Sequence, residues 1–143
     1  IDINLTAGFL AARETSKFLK KSKGSLVFAS STYGIVGPDH RIYSGEKFKS
    51  IPAYSASKAG IIGLTKWLAT WLGKHSVRVN AVTPGGVYNN HTKKFFKNYS
   101  NRTPLKRMAE PDDLSGIILY LMSDSSSYAT GQNFIVDGGY TAW

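Results

Sequence analysis

Apolar positions alternate along this chain between helical periodicity and short unbroken runs. Residues 4–21 read as an amphipathic helix with Leu5, Phe9, Ala12, Phe18 and Leu19 as inward positions. Gly24 ends it, and Ser25–Ser30 is short and apolar, as a buried parallel strand is. Residues 53–73 predict the strongest helix, apolar on more than one face through Ile61, Ile62, Leu64, Trp67, Leu68, Trp71 and Leu72. A helix apolar nearly all round is buried on two sides, so a sheet on one side and a partner subunit on the other are expected. Val77–Val82 is the next strand, stopped by Pro84-Gly85-Gly86. Pro111 suits a helix first turn, Asp112–Met122 continues as that helix, and Asn133–Val136 is a last strand before Asp137-Gly138-Gly139. This alternation predicts an α/β architecture. Strands 25–30, 77–82 and 133–136 should be parallel neighbours, with helix 53–73 crossing between the first two. The outer edge of strand 25–30 should stay open within the chain.

Composition narrows the picture. A length of 143 residues, 42% hydrophobic and 19% charged, suits one domain with a buried core. There is no cysteine, which excludes disulfides and thiolate metal sites and fits a reducing, cytoplasmic setting. His40, His75 and His91 lack metal-ligand spacing, so no metal site is expected. The longest apolar run, Ile117–Met122, is far short of the ~20 residues that span a bilayer, so no membrane partner is expected. No secretory leader is visible, and the opening Ile1, where Met would stand, suggests a chain missing its natural start. The net charge of +9 admits anionic partners, but no helix-turn-helix pattern supports nucleic acid.

The candidate chemistry centres on Tyr54-Ser55-Ala56-Ser57-Lys58. Tyr and Lys four apart share one helix face. A phenol with an ordinary pKa of ~10 is a poor acid or base at neutral pH. A neighbouring ammonium and the positive end of a helix favour the phenolate, which makes the pair a tuned general acid/base. Ser31 lies just past the predicted strand, where open α/β sheets place their ligands. Its hydroxyl could hydrogen-bond a substrate carbonyl or merely cap a turn. The Pro84-Gly85-Gly86 turn lets a flat ligand approach the backbone, or is an ordinary strand end.

Five segments occur in order: Asn4-Leu5-Thr6, Ser30-Ser31-x-x-Gly34, Tyr54-Ser55-Ala56-Ser57-Lys58, Val79-Asn80-Ala81-x-x-Pro84-Gly85 and Val136-Asp137-Gly138-Gly139. In this the chain resembles the short-chain dehydrogenases/reductases over nearly its whole length, residues 34–52 excepted. The resemblance implies the C-terminal part of a Rossmann-like, doubly wound parallel sheet, residues 1–143 forming the catalytic part of one domain. It also implies transfer of hydride between NAD or NADP and a carbonyl or alcohol carbon. It makes Asn4, Ser31, Tyr54 and Lys58 the catalytic tetrad. Tyr54 would transfer the proton and Ser31 would orient the carbonyl. Lys58 would tune Tyr54 and bind the nicotinamide ribose, and Asn4 would hold a relay water. Tyr54, Lys58, Pro84, Gly85 and Val87 would contact the cofactor, and the intact protein would be a homo-oligomer, a dimer or tetramer.

Three departures qualify the resemblance. The family's N-terminal glycine turn is absent, and no GxGxxG spacing exists among the 14 glycines. The pyrophosphate cradle is therefore expected in missing sequence, and the alternative is a truncated, incompetent fragment retaining packing and self-association surfaces. Ser31 and Tyr54 are 23 positions apart, so residues 35–52 read as an insertion beside the site. Asn89 and Asn90 stand where the family often has a cofactor-contacting Thr. Residues 88–107 read as a lid, with Lys93, Lys94, Lys97, Arg102, Lys106 and Arg107, Phe95, Phe96 and Tyr99 interleaved, and no acidic residue. That lid, and an insertion resembling those of sugar- or flagellin-modifying family members, suggest a small anionic or sugar-derived substrate. The plainer reading of the lid is a solvated basic helix face whose aromatics are core.

Overall fold

A computed structural model describes residues 1–143. Its sheet holds β1 (Ser25–Ala29), β2 (Arg78–Pro84) and β3 (Asn133–Val136), in that order. Both pairings are parallel, with Val27 opposite Asn80 and Val82 opposite Phe134. β2 is central, and Val79 through Thr83 are buried, as a parallel strand covered on both faces requires. β1 is an edge strand, its outer side unpaired within the chain. The helices are α1 (Ala7–Ser22), α2 (Pro52–Leu72), α3 (Lys93–Arg102) and α4 (Ser115–Met122). α2 joins β1 to β2, as the sequence predicts.

The main core lies between α1, α2 and the sheet. Ala12, Phe28, Ile61, Leu68, Leu72, Val77 and Val79 form it, with Leu5, Leu19 and Leu64 packed against it. Two of the expected inward positions of α1 are corrected. Phe9 and Phe18 are exposed, Phe18 at 64%. Phe18 lies thirteen residues after Leu5 and one before Leu19, which turns it roughly 100–140° away from the Leu5–Ala12–Leu19 line at 3.6 residues per turn. On α2, Trp67 and Trp71 are likewise exposed. Boundaries shift modestly elsewhere. The first turn of the expected helix 4–21 is a π-turn, Asp2–Thr6. β2 runs on to Pro84, and the helix expected from Asp112 starts as a 3-10 turn at Pro111–Leu114.

A second cluster sits under residues 35–52 and α3. Ile42, Phe95, Tyr99, Met108 and Tyr140 are buried together. Asp39 clips this layer: its carboxylate accepts from the Arg41 backbone N–H at 3.1 Å and pairs with Arg41 at 2.7 Å and with Arg102 of α3 at 3.1 Å. The Arg41 hydrogen bonds hold the Asp39 carboxyl down at about 2. A depressed carboxyl stabilises the fold above its unfolded pKa of about 4, and that contribution is lost as pH falls through about 2. Asp39→Asn is therefore expected to lower the urea midpoint at pH 7 and to match the parent protein near pH 2. An equal deficit at both pH values would remove the ionic contribution.

Candidate active site

The site begins where β1 ends. Pro52 occupies the first turn of α2, where its missing N–H costs nothing. Tyr54 and Lys58 then follow one turn apart, the Lys58 ammonium 5.7 Å from the Tyr54 ring centroid. Lys58 Nζ donates to the Ala29 carbonyl at 2.9 Å, and Ser30 Oγ donates to the Lys58 carbonyl at 2.9 Å. These bonds pin α2 to the carboxyl end of β1. Half-burial lowers the Lys58 pKa, because desolvation disfavours its charged form. Asn4, in the π-turn, donates from Nδ2 to Ser57 Oγ at 3.2 Å, and Ser57 Oγ donates to the Tyr54 carbonyl at 2.7 Å. Asn4 thus braces the helix turn that carries Tyr54.

Ser31 opens a 3-10 turn, and its Oγ accepts from the Tyr33 backbone N–H at 3.2 Å. Gly34 ends that turn against α2. A Cβ there would lie 2.7 Å from the Lys58 carbonyl carbon and 2.9 Å from the Ala59 nitrogen. Only glycine lets the Ser31 turn sit this close to the Tyr54–Lys58 helix.

Ser31, Tyr54, Pro84, Gly85 and Val87 all line one cleft of about 570 Å³. Asn4 and Lys58 are not in its lining and reach it through their neighbours. Residues 35–52 supply another wall through Tyr43, Phe48, Lys49, Ser50 and Ile51, and α3 adds Phe95 and Tyr99. Lys93, Lys94 and Lys97, the expected anion-attracting lysines, do not line this cleft. Lys93 borders a separate recess with Tyr88, His91, Phe96 and Glu110. Of the interleaved aromatics, Phe95 and Tyr99 are buried and Phe96 is partly exposed.

Sequence reasoning missed a cluster of tyrosines at the cleft floor. Tyr43 donates to the Tyr33 hydroxyl at 2.9 Å, and Tyr99 stacks on Tyr140 at 5.1 Å. Burial pushes the Tyr33 and Tyr43 phenols up and the Tyr99 phenol to about 12. These groups stay neutral at physiological pH. Tyr99 Oη accepts from the Gly86 backbone N–H, and a Gly86 Cβ would lie 2.7 Å from Tyr99 Cζ. α3 is therefore fastened to the Pro84–Gly86 turn. No local pattern announces this cluster, since its members come from four separate segments. No group of His, Cys, Asp or Glu is arranged to hold a metal ion.

A parallel α/β sheet with a cleft at its carboxyl ends, a tyrosine–lysine pair on the crossover helix and a serine beside it has the Rossmann-like architecture in which ligands sit at that end of the sheet. The family described as Enoyl-(Acyl carrier protein) reductase matches residues 1–141. The chain belongs to the short-chain dehydrogenase/reductase family, whose cofactor is NAD or NADP. It is 40% identical to trans-4-hydroxycyclohexanecarboxylate dehydrogenase of Sinomonas cyclohexanicum, over 99% of this chain and 51% of that protein. It is 35% identical to post-translational flagellin modification protein A of Campylobacter coli, over 98% of this chain and 55% of that protein. A short-chain dehydrogenase from Leptospira borgpetersenii solved with bound NAD+ superposes with a TM-score of 0.90 at 40% identity, covering 97% of this chain and 54% of that one. The chain spans about half the length of the curated relatives it matches.

Proposed function

We propose that the intact protein is an NAD- or NADP-dependent oxidoreductase acting on a carbonyl or alcohol carbon of a small, anionic or sugar-derived substrate, with Tyr54 as the proton-transfer group. The observation that carries this reading is the presence of Ser31 and Tyr54 in one cleft with Lys58 on the Tyr54 helix face. The nicotinamide supplies or accepts the hydride. The residues present suit that partner. Pro84, Gly85 and Val87 line the same cleft as Tyr54. Lys58 spends one of its three donors on Ala29 and keeps the others for ribose oxygens. Tyr54 Oη gives its proton to the substrate oxygen in reduction and takes it back in oxidation. Ser31 Oγ donates to that oxygen and orients it. Asn4 holds the helix turn in register and offers the relay-water site.

The glycine turn for the dinucleotide phosphates is not among these 143 residues, so the activity is proposed for the intact protein. The competing reading is that residues 1–143 alone are an incompetent piece with packing surfaces. Fluorescence titration with NADH separates the two. The intact protein should bind NADH and reduce small ketones, whereas residues 1–143 alone should bind weakly. Failure of the intact protein to bind either NADH or NADPH would end the proposal.

We further propose a homo-oligomer, dimer or tetramer, built on α1 and α2, acting in the cytoplasm. Phe18, Trp67 and Trp71 are exposed on these helices, the Trp rings 5.6 Å apart and Lys20 Nζ 4.5 Å above the Trp71 ring. The adjacent, exposed Trp67 and Trp71 favour burial against a partner. Trp67→Glu with Trp71→Glu in the intact protein is expected to shift sedimentation to smaller species at micromolar concentration. An unchanged profile would place the interface elsewhere. No helix is long and apolar enough to cross a membrane.

A further inference from the structure

Among the lysines, arginines, aspartates and glutamates, the cleft that holds Tyr54 is lined by one residue, and it comes from residues 35–52. Lys49 lines the wall, and no aspartate or glutamate does. The acidic residues of the same segment are engaged elsewhere. Asp39 is bound to Arg41 and Arg102, and Glu46 accepts from the Thr92 hydroxyl. Lys49 itself takes part in none of the ion pairs. The next residue, Ser50, also lines the cleft, and its Oγ is buried without a hydrogen-bond partner. A buried hydroxyl left unpaired is costly and finds its partner in a bound ligand or water. Phe48, Ile51, Val87, Phe95 and Met108 give the cleft an apolar side, and Ser31, Thr32 and Tyr54 line it as well.

From this we infer that Lys49 and Ser50 form the carboxylate-recognition end of the substrate cleft, and that the substrate is a keto or hydroxy acid with an apolar body. The inference rests on the reading of Tyr54 as the proton-transfer group and adds the far end of the substrate. One cation matches a monoanion. A phosphate monoester carries a charge of about −1.5 to −2 at neutral pH and would leave charge uncompensated there. α2 contributes in the same sense. Its N-cap, Ile51, makes no side-chain cap, so the positive end of a 21-residue helix opens beside Ser50. In reduction, the carbonyl carbon receives hydride from reduced nicotinamide. The C=O π bond breaks toward oxygen, which takes the Tyr54 phenolic proton, and the carboxylate is left unchanged. Lys49 is solvent-exposed, so it acts from the rim and its attraction is screened by salt.

The test uses the intact protein and three probes: 4-oxocyclohexanecarboxylate, its methyl ester and dihydroxyacetone phosphate. Lys49→Met is expected to raise KM for the acid about tenfold, the scale of one charge-assisted contact at a partly solvated site. The KM for the ester should move less than about twofold, and Lys49→Arg should recover most of the loss, since the charge is restored. The salt dependence of the acid's KM should flatten in Lys49→Met. Ser50→Ala should raise KM for the acid with a smaller effect on the ester. Equal shifts for acid and ester overturn the assignment of Lys49, and so does a parent enzyme that prefers the phosphate ester. Turnover of the ester keeps the oxidoreductase reading intact in either case. Turnover of none of the three by the parent protein overturns both.

Discussion

Tyr54→Phe in the intact protein is expected to lower kcat by about three orders of magnitude, within the range of positioned proton transfer. The change removes one oxygen and keeps the ring. The Lys58 ammonium would still lie over that ring, and the Lys58–Ala29 and Ser57–Tyr54 backbone contacts do not involve the phenol. Helix α2 should therefore keep its place, and NADH affinity should hold within about twofold, since only one polar contact to the cofactor is at stake. Lys58→Ala should behave differently. It removes the bond to Ala29 as well as the donors proposed for the ribose, so both kcat and NADH affinity should fall. Initial rates from nicotinamide absorbance, with NADH binding by fluorescence, check both variants. A Tyr54→Phe protein with near-normal kcat would show that the proton comes from elsewhere.

Much of the architecture is legible because parallel strands and crossover helices leave local marks. The run Ser25–Ser30 is short and apolar because β1 is covered by helices, and the long apolar stretch from Ile61 to Leu72 marks the helix that returns the chain to β2. The Tyr54–Lys58 spacing is equally local, since helical period alone puts both on one face. What local pattern does not hold is the convergence of distant segments. Tyr33, Tyr43, Tyr99 and Tyr140 meet because residues 35–52 fold down onto α3, a contact clipped by Asp39 and Arg102. The same docking brings Lys49, a residue without periodicity or motif, to the cleft wall, while the conspicuous lysines of α3 do not line it. Charge along a helix marks a face, and only the packing of the other face decides where that charge points. Phe18 teaches a similar lesson. Its hydrophobicity suggests the core, yet its angle on α1 puts it outside.

The closest backbone approach in the site yields the other large effect. Gly34 ends the Ser31 turn where a Cβ would stand 2.7 Å from the Lys58 carbonyl carbon and 2.9 Å from both the Lys58 oxygen and the Ala59 nitrogen. All three are backbone atoms of α2 and cannot rotate aside. Ordinary contact at about 3.5 Å therefore requires the turn and the helix to separate. Separation stretches the Ser30–Lys58 hydrogen bond and moves Ser31 away from Tyr54. Gly34→Ala is expected to cost about 1–3 kcal/mol, the usual penalty for overpacking. It should also lower kcat by about ten- to a hundredfold, because displacement of a positioning group by about an ångström is costly on that scale. Gly37→Ala is the matched control, three residues on, where a Cβ meets nothing within 4 Å. It should change stability by less than about 0.5 kcal/mol. Urea unfolding and initial rates, measured on both variants of the intact protein, separate strain at the Ser31 turn from a general effect of glycine replacement. Full kcat in Gly34→Ala would mean that the turn slides over α2 without disturbing Ser31 and Tyr54.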